Sequence, residues 1–119
     1  MMPIHWTDLK SEVEVDGLLE LSNLHPVLIL KHSTRCSISS MVLNRLEREA
    51  PAPMDARGYH AFYLDLIQFR SVSNWIAQKF GVEHESPQVI VLDRGKVVYQ
   101  ASHTAIHWDD ILESLSLSN

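Results

Sequence analysis

A single cysteine is the residue of this chain that is best placed for chemistry. Cys36 follows the apolar residues 27–30 and precedes a run with helical character that begins near Ser37. A thiol at such a turn lies at the partially positive N-terminus of a helix, where the thiolate is favoured over the thiol. Arg35 and Lys31 are close in sequence and would add positive charge. A lone cysteine beside an apolar strand is also often an inert core residue, so position alone leaves both interpretations open.

Composition narrows the class of protein. The chain has 119 residues, 45% of them apolar, which predicts one domain, residues 1–119, with a core that needs no disulfide. No apolar run approaches the roughly 18 residues of a membrane span, and residues 1–10 lack the order of a signal peptide. We therefore expect a cytoplasmic protein in a reducing compartment, with no membrane partner. The net charge of −5 and the scattered Lys and Arg residues argue against nucleic acid as a partner.

Apolar periodicity and turn signals predict the order β-α-β-α-β-α-β-β-α. Ser11 is the expected N-cap of the first helix, which Gly17 weakens, and Ser71 or Ser73 is the expected N-cap of the third, which stops at Gly81. The predicted strands are residues 4–9, 27–31, 59–64, 88–92 and 96–100, and the predicted helices are residues 11–21, 37–49, 71–80 and 105–115.

Two segments resemble a known family. Residues 31–39, Lys-His-Ser-Thr-Arg-Cys-Ser-Ile-Ser, and residues 81–88, Gly-Val-Glu-His-Glu-Ser-Pro-Gln, are similar to the two most distinctive segments of the YtxJ-type monothiol bacilliredoxins of the bacillithiol system. Residues 72–74 and 101–103 add to a match that spans nearly the whole chain. The resemblance implies an α/β, thioredoxin-like fold with a central mixed sheet flanked by helices. The chain departs from the family at Ser37, where members usually have Pro, and the serine adds a backbone N–H and a hydroxyl next to the cysteine.

The segment from Cys36 to Ser39 stands where thioredoxins carry C-x-x-C. Ser39 occupies the position of the resolving cysteine and cannot form an S–S bond. Cys36 would therefore take a small thiol from a mixed disulfide, and an external thiol would have to reduce the new disulfide on Cys36. The resemblance implies that this cosubstrate is bacillithiol and that the partners are bacillithiolated proteins. We expect Arg35, Ser37 and Ser39 to support the thiolate. Ser39 is equally interpretable as a residue at the helix start that satisfies a backbone N–H.

The resemblance also implies a cis peptide bond before Pro87, in a loop that faces the cysteine, with Ser86 as a substrate-binding residue. Pro87 has a simpler interpretation, as a residue that begins a strand. We expect Thr34, His84 and His103 to border the cysteine and contact substrate. The seven histidines show no zinc-site spacing, so we expect no metal and no bound cofactor.

The sequence thus predicts a monothiol thiol–disulfide oxidoreductase. Two other functions stay open at this point. One is a noncatalytic interaction module with the same fold. The other is an iron–sulfur carrier, by analogy with C-G-F-S monothiol glutaredoxins.

Overall fold

The computed structural model describes residues 4–50 and 58–117, with side chains as far as Leu115. Five strands form one sheet, and helices cover both of its faces. The elements in chain order are β1 Trp6–Asp8, α1 Glu12–Asp16, α2 Leu18–Leu21, β2 Val27–His32, α3 Ser37–Arg48, β3 His60–Asp65, α4 Arg70–Phe80, β4 Gln88–Asp93, β5 Lys96–Ser102 and α5 Trp108–Leu117.

The spatial order of the strands is β1-β3-β2-β4-β5. The pairs β1–β3 and β2–β3 are parallel, whereas β4 runs antiparallel to β2 and β5 antiparallel to β4. The predicted element order and the mixed sheet are therefore confirmed. None of the described helices is long and apolar enough to cross a bilayer.

The two central strands, β2 and β4, are buried along their whole length because both faces of the sheet are covered. Leu28 and Leu30 of β2 pack in one core cluster with residues of α3 and α5, whereas Val27 and Ile29 pack in the other with residues of α4. Successive strand residues point to opposite faces. The next residues, 31 and 32, are therefore directed to the α4 face and the α3 face respectively.

The first predicted helix is interrupted at the glycine expected to weaken it. Ser11 is its N-cap, as predicted, and its Oγ accepts the Glu14 N–H at 3.3 Å. The helix ends after one turn at Gly17, and α2 follows. The glycine costs backbone entropy in a helix interior, and the two short helices on either side of it bury Val15 and Leu18.

The start of α4 differs from the prediction. Phe69 is at the N-cap, and Ser71 and Ser73 lie inside the helix. Asp65 forms the preceding turn, because its Oδ1 accepts the N–H groups of residues 67 and 68 at 3.1 and 3.3 Å. The helix ends at Gly81, as predicted, with a left-handed φ of 64°. The last helix begins later than expected, at Trp108, since His103–Ala105 form a 3-10 turn.

Candidate functional site

Cys36 lies at the N-terminus of α3, where the chain leaves β2. It is the N-cap residue, with φ −113° and ψ 121°, and its side chain makes no capping hydrogen bond. Its backbone N–H donates to the Ser33 carbonyl at 3.2 Å, and its own carbonyl accepts the Ser40 N–H at 3.1 Å. The residue is partly exposed and its thiol is free. The backbone is thus fixed on both sides of a partly exposed cysteine.

The Ser39 side chain lies inside the protein. It is fully buried, its Oγ accepts the Ser33 N–H at 3.1 Å, and the same oxygen lies 2.7 Å from His32 Nδ1. The hydroxyl has one proton, and with the Ser33 N–H donating to the oxygen, that proton is available to the imidazole. We expected Ser39 either to support the thiolate or to satisfy a backbone N–H. Its hydrogen bonds show that it satisfies a backbone N–H, that of Ser33 in the loop before the cysteine, and support of the thiolate by Ser39 stays a prediction.

His32 completes this connection between β2 and α3. The ring is buried, and burial lowers the pKa of His32 from its ordinary value, an effect that the negative charge of Asp65 partly opposes. The 2.7 Å contact between Ser39 Oγ and His32 Nδ1 can form with either group as the donor, according to the tautomer of the ring. We call the three residues Ser33, His32 and Ser39 the loop clip, because they tie the loop before Cys36 to the first turn of α3.

The loop before β4 reaches the same edge of the sheet. Lys31 pairs with Gln88 in the antiparallel β2–β4 ladder, so Pro87 lies beside the end of β2, where the cysteine loop begins. The Ser86–Pro87 bond is cis, as predicted. Ser86 Oγ is buried and has no hydrogen-bond partner among the described residues. A substrate-binding role for Ser86 and Pro87 stays a prediction.

Two further predicted residues border this loop. His103 has a left-handed φ of 56°, and its N–H donates to the Pro87 carbonyl at 2.9 Å. Its Nε2 lies 3.6 Å from Glu85 Oε2. His84 Nδ1 lies 3.3 Å from Lys31 Nζ and 3.2 Å from Ser73 Oγ. The structure therefore connects both histidines to the loop that carries the cis bond, and their contact with substrate stays a prediction.

Lys31 does not lie where sequence proximity to Cys36 suggested. It points to the α4 face, where its Nζ donates to the Ser73 carbonyl at 3.1 Å, whereas α3 and its cysteine occupy the other side of the sheet. Thr34, Arg35 and Ser37 are exposed around the cysteine, and the Arg35 N–H donates to Ser33 Oγ at 3.4 Å. Their contributions at the thiol stay predictions.

An apolar patch beside the cysteine was not predicted from the sequence. Ile38 and Met41 are 43% and 48% exposed on the first turns of α3. Met41 also lines a shallow groove along this helix together with Ser37, Ser40, Asn44, Arg45 and Arg48. One feature of the sequence indicates this patch. Ile38 and Met41 are three residues apart, which places them on one side of the helix, outside the buried stripe of Val42 and Leu46.

The described residues contain no group of three or more His, Cys, Asp or Glu side chains arranged to hold a metal ion. Three titratable side chains lie at the ends of the two loops: buried His32 contacts Ser39, and exposed His84 contacts buried Lys31. The arrangement provides an accessible thiol at a helix N-terminus, a fixed loop before it and a cis-proline loop beside it. These features suit attack of a thiolate on a disulfide.

Comparison with solved structures shows the same fold. A thioredoxin-fold protein proposed to be an oxidoreductase is 27% identical, with a TM-score of 0.76 over 92% of this chain and 93% of that one. Spinach chloroplast thioredoxin f, short form, is 15% identical with a TM-score of 0.68, over 99% of this chain and 96% of that one. Malassezia sympodialis thioredoxin is 14% identical with a TM-score of 0.67, over 98% and 94%.

Comparison with family models gives the more specific result. Residues 7–111 match the model described as "Monothiol bacilliredoxin BrxC". The match includes Cys36, the loop clip and the cis-proline loop, and together with the fold it supports a thiol oxidoreductase role. The chain belongs to the monothiol bacilliredoxin family.

Proposed function

We propose that this protein removes bacillithiol from mixed disulfides with other proteins, with Cys36 as the only nucleophile. The Cys36 thiolate attacks the bacillithiol sulfur, so that a Cys36–bacillithiol bond forms as the bond to the substrate protein breaks. The substrate cysteine leaves as a thiolate and takes a proton from solvent. A second, external thiol then attacks the bacillithiol sulfur on Cys36 and releases the enzyme thiolate. No bound cofactor takes part.

The observation that carries this proposal is a partly exposed, unpaired thiol at the N-cap of α3 with a buried serine three residues later. The thiolate is the attacking form in such an exchange. Ser39 cannot resolve the mixed disulfide, and Cys36 is the only cysteine of the chain. An external thiol must therefore complete the cycle, which requires a reducing compartment such as the cytoplasm.

The apolar patch of Ile38 and Met41 supports a protein as one partner. Large exposed apolar side chains next to a reactive group are typical of interaction sites, and a disordered or flexible substrate segment could cover them while its mixed disulfide reaches Cys36. The patch is small, which agrees with a transient encounter rather than a stable complex.

The proposal is tested with one carrier protein that has a single cysteine, prepared separately as its bacillithiol, glutathione and coenzyme A mixed disulfides. Wild-type protein is expected to free the carrier thiol from the bacillithiol form fastest, at one equivalent per enzyme when no external thiol is added. Cys36→Ser, which differs by one atom, is expected to free none. Equal rates with all three forms would contradict bacillithiol as the substrate.

The two other functions give different outcomes. A noncatalytic interaction module would bind the carrier and leave its mixed disulfide intact. An iron–sulfur carrier would be brown after anaerobic purification and lose its colour in Cys36→Ser. Either result would replace the proposed function.

A further inference from the structure

Lys31 is the largest fully buried side chain of the described residues, and the thiol chemistry described above does not use it. Its Nζ contacts the Ser73 carbonyl at 3.1 Å and His84 Nδ1 at 3.3 Å. Both contacts are to uncharged groups, a carbonyl and an imidazole, so the amine is not placed there to form an ion pair. A buried lysine needs a reason, because its charge is costly to remove from water.

The contact fixes the protonation of His84. An ammonium group has only donors, so Nδ1 must accept, and the ring proton is at Nε2. The Ser73 hydroxyl, 3.2 Å from the same Nδ1, reinforces this arrangement. Burial and the nearby positive charges of Lys31 and Arg70 lower the pKa of His84, and only Glu85 acts in the opposite direction. His84 is therefore a neutral ring of one tautomer, with its N–H on the side away from Lys31.

The same contact anchors the loop between α4 and β4. Gln88, which faces Lys31 across the β2–β4 ladder, donates from Nε2 to the Glu83 carbonyl at 2.9 Å. Residues 83 and 84 are thus attached to the sheet by side chains of β4 and β2. The cis peptide bond follows two residues after His84, at the edge of the sheet where the cysteine loop begins.

We propose that Lys31 is a positioning residue of the thiol-transfer site, acting through His84. It holds the loop of residues 83–87 against the end of β2 and keeps the His84 Nε2–H as a donor for a carboxylate of the small thiol. The identity of the substrate in this proposal rests on the proposed function, whereas the contact between Lys31 and His84 rests on the structure. His84 is itself exposed, so this donor is accessible from solvent.

The first test is structural and needs no substrate. Nitrogen-15 NMR of the histidine rings is expected to show His84 as the Nε2–H tautomer in wild type and as a tautomer mixture in Lys31→Met, which keeps the length of the side chain and loses its donors. Lys96→Met, at an exposed lysine of β5, is the matched control and should leave the His84 signals unchanged. Unchanged signals in Lys31→Met would overturn the positioning role.

The second test compares two alkylating agents at Cys36, iodoacetate with a carboxylate and iodoacetamide without one. The ratio of their rates is expected to fall several-fold in both Lys31→Met and His84→Phe, since each loses the fixed donor. His84→Phe keeps the lysine charge, so a fall in Lys31→Met alone would indicate distant electrostatics and overturn the proposal. An unchanged ratio in both variants would also overturn it. His84→Phe changes an exposed residue and keeps the test valid if Lys31→Met fails to fold.

The third test uses the bacillithiol mixed disulfide of the carrier protein. Lys31→Met is expected to raise KM about tenfold, the worth of one hydrogen bond to a charged group, with kcat within about twofold. Adding Lys31→Met to His84→Phe should cause little further change, because both act through one contact. If wild type transfers no small thiol, the proposed function fails, whereas the NMR and alkylation results still decide the role of Lys31.

Discussion

The buried amine of Lys31 predicts how the stability of this protein depends on pH. Burial lowers the pKa of Lys31 from 10.5 to about 8. The unfolded chain regains the ordinary value, so between about pH 8 and pH 10.5 it binds more protons than the folded protein, and the free energy of unfolding rises with pH through this range. At about 1.4 kcal/mol per pKa unit, the full effect is about 3 kcal/mol.

The assay is urea unfolding of wild type and Lys31→Met at pH 7, 8, 9 and 10, followed by tryptophan fluorescence. All other titrating groups are common to the two proteins, so the difference between their free energies of unfolding isolates Lys31. Between pH 7 and pH 10, we expect the free energy of unfolding of wild type to rise by about 2.5 kcal/mol relative to that of Lys31→Met. At pH 7, Lys31→Met should be at least as stable as wild type, because it removes a buried charge without a carboxylate partner.

Lys96→Met serves as the control. Lys96 is exposed at the start of β5, so its difference from wild type should stay within about 0.5 kcal/mol at every pH. If the difference in free energy of unfolding between wild type and Lys31→Met is also independent of pH, the reasoning is refuted, since burial then does not penalise the Lys31 ammonium.

The remaining predictions concern the loop clip and the serine of C-x-x-S. Ser39→Ala should lower the free energy of unfolding by about 1 to 3 kcal/mol, measured in urea, because the half-buried Ser33 N–H and the buried His32 ring lose their partner. Ser37→Ala, at an exposed position, should change the free energy of unfolding by less than about 0.5 kcal/mol. Ser39→Ala should still keep bacillithiol release within about tenfold of wild type, and a complete loss would show a chemical role for the hydroxyl. Ser39→Cys should close a disulfide with Cys36 one helical turn away, seen as a mass loss of two hydrogens and release of the small thiol without external reductant. The pKa of His32 is lowered by burial, so the unfolded chain binds this proton more readily than the folded protein, and stability should be lost as pH falls below about 6.5. Urea unfolding of wild type and His32→Asn should show this slope in the difference between them, and a flat difference would show that the ring is not buried in its neutral form.

Much of the fold could be predicted from local sequence. The apolar run of β2, the Gly81 helix end and the hairpin turn each depend on neighbouring residues, and the structure has all three. The turn places Arg94 and Gly95 at φ 54° and 80°, the conformation that such a short connection requires. The N-cap of α4 could not be predicted in this way, since Asp65 forms the turn before the helix and leaves Ser73 to contact His84.

The site was predictable only in part, because many of its side-chain contacts join residues that are far apart in the sequence. The cysteine, the loop around it and the cis bond follow from two segments of sequence, whereas the roles of individual side chains depend on pairs far apart. Lys31 contacts residues 42 and 53 positions away, and no local pattern pairs them. Alternation along β2 was the available clue, because Ile29 and Lys31 share the α4 face. Ser39 likewise contacts His32, which lies seven residues earlier on a different element.

The central claim is that Cys36 accepts one small thiol and cannot resolve the resulting disulfide. Intact mass spectrometry of wild type after exposure to oxidised bacillithiol tests it most directly. We expect a single bacillithiol adduct, located at Cys36 by peptide mapping, that persists until an external thiol is added. A protein that forms no adduct with oxidised bacillithiol, glutathione or coenzyme A would contradict the monothiol mechanism.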